Sequence, residues 1–130
     1  MSPLLFCCAL LLPIGFVACS DSEMSYPVRS APEKINTSVG KELFHAKCAS
    51  CHGKPSEGRS ERAAFFEPPA PDFTAPMYQQ IDPAYLFWRI ETGKDAEPFR
   101  SQGSVMPAWG SHFDEEQIWR IVAYLRSRSA

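Results

Sequence analysis

Two cysteines three positions apart with a histidine directly behind them, Cys48-Ala49-Ser50-Cys51-His52, restrict this chain more than any other stretch of it. The spacing is that of c-type haem attachment. One helical turn sets both thiols beneath the two vinyl groups of a porphyrin. Each thiol adds across a vinyl to form a thioether, and the adjoining imidazole reaches the iron. The other chemistry open to Cys-X-X-Cys is thiol–disulfide exchange of the thioredoxin type. That reading needs a strand–helix–strand surround, and the sequence carries no strand pattern.

At 130 residues the chain is one domain's worth of protein, and its formal net charge of −2 provides no basic field for nucleic acid. The five cysteines are Cys7, Cys8, Cys19, Cys48 and Cys51. An odd count, with two of them inside an apolar N-terminal run, argues against a disulfide framework. That run, Leu4 to Ala18, has the length of a signal-peptide h-region, and Pro13 and Gly15 suit it poorly to a membrane-spanning helix. Phe16-Val17-Ala18-Cys19 resembles a bacterial lipobox, which implies a diacylglycerol on Cys19 as the mature N-terminus. A cleaved signal with a soluble product and a retained anchor helix are the other readings of the same run. With Cys19 lipidated and Cys48 and Cys51 on haem, no thiol is left over, which suits an oxidising compartment. The expectation is a protein on the periplasmic side of a bacterial membrane, held there through lipid on Cys19, with inner or outer membrane left open.

Residues 20–37 are polar, contain Pro27 and Pro32 and show no apolar period, so they read as a flexible tether. Eighteen such residues have a root-mean-square reach of about 25 Å. The division expected is therefore 1–18 signal peptide with a lipobox ending at Cys19, 19–37 tether, and 38–130 folded domain.

Three helices are expected in that domain, and the fold class is all-α. The first runs from Ser38, as N-cap, to Cys51, with Val39, Leu43 and Phe44 on one face. The second opens at Asp82-Pro83, an N-cap followed by proline at the first helical position, and ends near Gly93. Its core, Tyr85 to Ile90, is apolar nearly all round and should be largely buried. The third starts at Asp114, which forms a capping-box pair with Gln117, and frays among Arg126 and Arg128. The stretches 53–81 and 94–113 are long and rich in proline or glycine. Loops of that length in a small domain usually serve a function, and a central porphyrin accounts for them because it supplies apolar surface. One Cys-X-X-Cys-His implies one haem.

From about Ser38 to Ser127 the chain resembles the class I (mitochondrial-type) cytochrome c family. The resemblance is carried by Gly40-Lys41-Glu42-Leu43-Phe44-His45-Ala46-Lys47-Cys48, by the haem motif, and by Ile121-Val122-Ala123-Tyr124-Leu125. It implies that the opening and closing helices cross near Gly40, with Phe44 and Tyr124 filling the crossing, and that three main helices and long loops wrap one covalently bound haem c. It also implies that His52 binds iron through Nε2, with its other nitrogen held by a proline carbonyl of the following loop. Pro68, Pro69 and Pro71 are candidates, Pro69 foremost. Met106, followed by Pro107 and set just before the last helix, matches the family's distal ligand. A thioether there raises the potential. Met77, His112 and the absence of any protein ligand are the alternatives, and a core gap-filling role is the ordinary use of a methionine.

His45 reads as a surface residue. Trp88, Phe99 and Trp109 are equally suited to wall the haem or to pack a core. Arg59, Arg62 and Arg100 lie in loops where a guanidinium could pair with a propionate, but a solvated surface role is favoured for each. No pair of carboxylates carries an acid–base signature. The function expected is one-electron transfer between a redox protein donor and an oxidase or reductase acceptor, without enzymatic turnover. A haem enzyme or a gas-binding sensor with a displaceable sixth ligand is the alternative.

Overall fold

The computed structural model describes residues 25–129. The expected signal peptide at 1–18 and the lipobox cysteine Cys19 lie outside the described residues. Within them the secondary structure is helical, with no strand, as the resemblance implies.

Helix α1 (Thr37–Lys47) begins two residues earlier than expected. Asn36 rather than Ser38 is the N-cap, because the Asn36 carboxamide oxygen accepts from the Ser38 amide at 2.9 Å and also from its hydroxyl. The helix does not run unbroken to Cys51. It closes at Cys48, and a separate turn, α2 (Ala49–His52), carries the rest of the haem motif. A 3₁₀ segment (Glu61–Phe65) and the one-turn α3 (Met77–Gln80) punctuate the loop that follows. Helix α4 (Pro83–Thr92) opens on the Asp82 cap and Pro83, and ends at Gly93, as expected. Helix α5 (Glu115–Arg128) opens on the capping box. The Asp114 carboxylate accepts from the Gln117 amide at 2.8 Å, and the Gln117 side chain accepts from the Asp114 amide at 3.0 Å.

The principal helix–helix contact is α1 against α5. Gly40 makes it possible. A Cβ at that position would stand 1.9 Å from the carbonyl oxygen of Arg120, so only a residue without a side chain lets the two backbones approach this closely. One turn further on, the rings of Phe44 and Tyr124 meet edge to face at 5.3 Å. On its apolar face α5 buries Ile118, Trp119, Ile121, Val122, Tyr124 and Leu125, and Trp119 meets Phe87 of α4 at 4.7 Å. Each fully buried side chain of this size contributes about 1.5–3 kcal/mol. The core is thus a wedge of α1, α4 and α5, closed at one end by the loop residue Phe73.

The described part of the stretch expected to be a tether lies on this wedge. Tyr26 stacks on Trp88 at 5.9 Å, meets Tyr85 edge-on at 5.5 Å, and donates its hydroxyl to Asp82 at 2.6 Å. Arg29 pairs with Glu91 through both carboxylate oxygens and lies 4.7 Å over the Phe87 ring. Ile35 packs against the core. Absence of an apolar period reported only the absence of a helix here. Isolated apolar and aromatic residues in an extended strap bury one at a time. The strap also resolves the all-round apolarity of α4: its inner face meets α5, and its outer residues Tyr85 and Trp88 meet Tyr26.

Candidate haem site

The haem motif occupies the joint between α1 and α2. Cys48 is the half-buried residue at which α1 ends. Its amide closes on the Phe44 carbonyl at 2.7 Å, and its own carbonyl accepts from Cys51 and His52. Cys48 and Cys51 are both free thiols. Burial, and secondarily the neighbouring Cys51, pushes the Cys48 thiol up to about 12, so it stays protonated at neutral pH. The motif's turn is pinned from the following loop by Ser60, whose hydroxyl donates to the carbonyls of Ser50 at 2.8 Å and Cys51 at 3.0 Å.

His52 projects among aromatic rings, 4.8 Å from Phe73 and 6.4 Å from Phe44. Its Nδ1 lies 3.4 Å from the carbonyl oxygen of Pro71. Pro71 therefore takes the place for which Pro69 was the foremost candidate. The reason is local. Phe73 is buried beside the imidazole, and this anchor brings the carbonyl two residues earlier to Nδ1, while Pro69 stays exposed. Burial lowers the imidazole to about 4, opposed by the bond to Pro71 and assisted by the charges of Arg128 and Lys94. The ring is neutral at pH 7. With a proton on Nδ1 facing Pro71, Nε2 is left with its lone pair, the form that binds a metal.

The loop bearing Met106 is fastened to the end of α4. The Lys94 amide donates to the Met106 carbonyl at 2.9 Å, and the amides of Trp109 and Gly110 donate to the Ile90 and Glu91 carbonyls at 3.0 Å. At the same joint, Gly93 adopts φ +66°, and a Cβ there would meet the Pro107 carbonyl carbon and the Ala108 nitrogen at 2.5 Å. Met106 itself is half-buried against the core cluster that also receives Cys48. Neither alternative is placed this way. Met77 is 58% exposed at the start of α3, and His112 is exposed with its Nδ1 3.0 Å from the Ser111 hydroxyl. The exposed ring of His45 borders Phe44 and Tyr124 on the outer side of α1.

Of the aromatic candidates for the haem wall, Trp88 faces the strap, and Trp109 stacks on Phe113 at 5.4 Å. Phe99 covers the guanidinium of Arg89 at 4.6 Å. Arg89 is buried, with Tyr85 and Trp88 also around its charge, and donates to the Gly93 carbonyl at 3.2 Å. Arg59, Arg62 and Arg100 are exposed. Arg128, read from sequence only as a helix-end cation, reaches the motif. It donates to the carbonyls of His52, Gly53, Lys54 and Glu57. No local spacing announces that contact, which spans more than seventy residues.

The residues fit a c-type haem. Two free thiols sit one helical turn apart, and a neutral imidazole follows them with its orienting bond already made. A thioether stands on a loop whose backbone is tied down. No helix among the described residues is long and apolar enough to cross a membrane, and no cluster of three or more metal-binding His, Cys, Asp or Glu side chains occurs among them.

Comparison with known proteins agrees. The profile of the family described as cytochrome c oxidase, cbb3-type, subunit III matches residues 36–125. Cytochrome c6 from Chlorolobion braunii is 28% identical over 104 residues, which cover 75% of this chain and 96% of that protein. The match spans the Asn36 cap, α1, the haem motif, α4 and all but the last three residues of α5, so the chain belongs to the cytochrome c oxidase, cbb3-type, subunit III family and is a class I c-type cytochrome, an electron carrier.

Proposed function

We propose that Cys48 and Cys51 hold a single haem c through thioethers, that His52 and Met106 are its axial ligands, and that the protein passes single electrons between a redox protein donor and an oxidase or reductase acceptor. A haem with two strong-field axial ligands gains and loses one electron with little movement of those ligands. The chain's own part is to keep them still. The Pro71 carbonyl orients His52, and the Lys94, Trp109 and Gly110 amides tie the Met106 loop to α4. Phe44 and Phe73 keep water from the imidazole. The observation that carries the reading is the half-buried, neutral His52 with Nδ1 on Pro71, set directly behind two free thiols.

Membership of a family named for an oxidase subunit favours a place within, or delivering electrons to, a terminal oxidase. The lipobox-like Phe16-Val17-Ala18-Cys19 and the complete use of the remaining cysteines favour attachment by lipid on Cys19, on the periplasmic side of a bacterial membrane.

Two measurements test this. After periplasmic maturation, denatured and acid–acetone-extracted protein should retain one haem's mass on the polypeptide; a mass equal to the bare chain refutes attachment. The native protein should be low-spin, with the weak long-wavelength band of sulfur on ferric iron. Met106→Ala should abolish that band and lower the potential. A high-spin spectrum that shifts at once with cyanide or carbon monoxide identifies a haem enzyme or gas sensor instead.

A further inference from the structure

Arg128 does more than end a helix. Its guanidinium reaches from the last residue of α5 to the loop immediately behind the haem motif, where Nη1 donates to the carbonyls of His52 at 3.3 Å and Gly53 at 3.2 Å. Nη2 donates to those of Lys54 at 3.0 Å and Glu57 at 2.7 Å. The same group lies 4.8 Å from the Phe44 ring centroid, and that ring is 6.4 Å from the His52 ring. One cation thus gathers four carbonyl oxygens of a single turn, those of His52 and Gly53 at partly buried sites and those of Lys54 and Glu57 at exposed ones. Its neighbour Arg126 is an internal comparison. It is the same residue type in the same last turn, yet it donates to the Gln79 carbonyl of α3 rather than to the haem turn.

Resting on the haem ligation proposed above, we infer that Arg128 is a positioning residue for His52. It fixes the turn that carries the imidazole, and it keeps a permanent positive charge behind that ligand which favours the reduced site. The electrostatic reasoning is direct. The oxidised site carries one more positive charge than the reduced site, the electron coming from the donor protein. A fixed cation nearby therefore disfavours oxidation. The guanidinium and the imidazole are linked through the Phe44 ring by steps of 4.8 and 6.4 Å. Two unit charges on that scale, about 10 Å apart at an effective dielectric near 20, shift the reduced-to-oxidised ratio by about one order of magnitude. Arg128 is partly exposed, and solvent screening reduces this to between about threefold and tenfold. For a one-electron couple that is about 30–60 mV.

The experiment compares midpoint potentials of holoprotein carrying Arg128→Met, Arg128→Lys and, as control, Arg126→Met. Arg128→Met should lower the potential by the threefold-to-tenfold equivalent. Arg128→Lys, which keeps the charge but not the planar fork, should hold the potential near wild type while losing thermal stability. Arg126→Met should leave the potential unchanged. Where Arg128→Met does not accumulate as holoprotein, Arg128→Gln serves as the uncharged variant with the same expected fall. An unchanged potential in the uncharged variant overturns the inference. So does an equal fall in Arg128→Lys and the uncharged variant, which would assign the whole effect to lost packing. A wild-type protein lacking a low-spin His/Met spectrum would instead refute the ligation on which the inference stands.

Discussion

The α1–α5 crossing makes a sharp quantitative demand, and Gly40→Ala tests it. On an exposed helix face the change would stabilise the protein by about 0.8–1.0 kcal/mol, the difference in helix propensity. Here the new methyl would lie 1.9 Å from the Arg120 carbonyl oxygen, 2.5 Å from its carbon and 3.1 Å from the Ile121 nitrogen. The nearest atoms are all backbone, so no side chain can swing away. Relief requires α5 to retreat from α1 by more than about 1 Å. A gap of 0.5–1 Å forfeits about a quarter to a half of each dispersion contact it opens. The contacts at stake include Phe44 on Tyr124 and the packing around Ile121 and Val122, all nearly inaccessible to solvent. Overpacking of this kind costs about 1–3 kcal/mol and sometimes more. A clash against backbone alone belongs at the upper end of that range, so with the propensity gain subtracted we expect a net destabilisation of about 2 kcal/mol. At about 4–8 °C per kcal/mol for a domain near 100 residues, the Tm should fall by roughly 8–16 °C. Thermal unfolding of the holoprotein followed by far-UV circular dichroism is the assay, with Lys41→Ala on the exposed side of α1 as control. A Gly40→Ala protein as stable as the control, or more so, would refute the reasoning, because it would mean that the helices do not meet backbone to backbone at this residue.

Other outcomes follow from the same contacts. Asp114→Ala removes one half of a reciprocal cap and should lower stability by about 1 kcal/mol in denaturant titration, with Gln117→Ala costing no more. Gly93→Ala combines a positive φ with a backbone clash at Pro107, and should weaken the sulfur-to-iron absorption band before it affects far-UV helicity. The strap's tyrosine gives a pH dependence with a definite sign. The Tyr26 hydroxyl first, and the Ala84 amide second, hold the Asp82 carboxyl below its usual range, so that contribution is present above pH 4 and is lost as pH falls through the depressed value. The bond to Asp82 raises Tyr26, so its contribution is present below pH 10 and is lost as pH rises through the raised value. The Trp88 indole resonance of the reduced protein should shift at both ends of that window, and Tyr26→Phe should remove both shifts. Arg29→Ala should speed amide exchange along residues 26–30 without altering α1.

What was legible in the sequence was what is written locally. Asp82-Pro83 with Gly93, and Asp114 with Gln117, mark helix ends through bonds that span two to four residues, and the structure places α4 and α5 between them. Gly40, Phe44 and Tyr124 were legible through family likeness and form the crossing as that likeness implies. The choice of Pro71 over Pro69 depends on Phe73, whose burial beside His52 no spacing rule encodes. The reach of Arg128 to the haem turn joins two ends of the domain, and a helix-end arginine has the same appearance whether it meets water or four carbonyls. The strap was missed for another reason. A signal was present, in the surplus of aromatic surface on α4 that a single neighbouring helix could not cover, and Tyr26 answers it.

With the lipid on Cys19 proposed above, that docked strap would set the radius of the protein's movement. Five residues, 20–24, separate Cys19 from Ser25, and even fully extended they span about 20 Å. A globule of about 100 residues has a radius of gyration near 13 Å. With lipid on Cys19, as proposed, the head is moored at a distance comparable to its own size. A head so attached would rock and pivot at the bilayer rather than roam far above it. A donor and an acceptor for such a carrier must both present their docking faces low and close together, so that a tilt of the head, rather than a journey, carries each electron across.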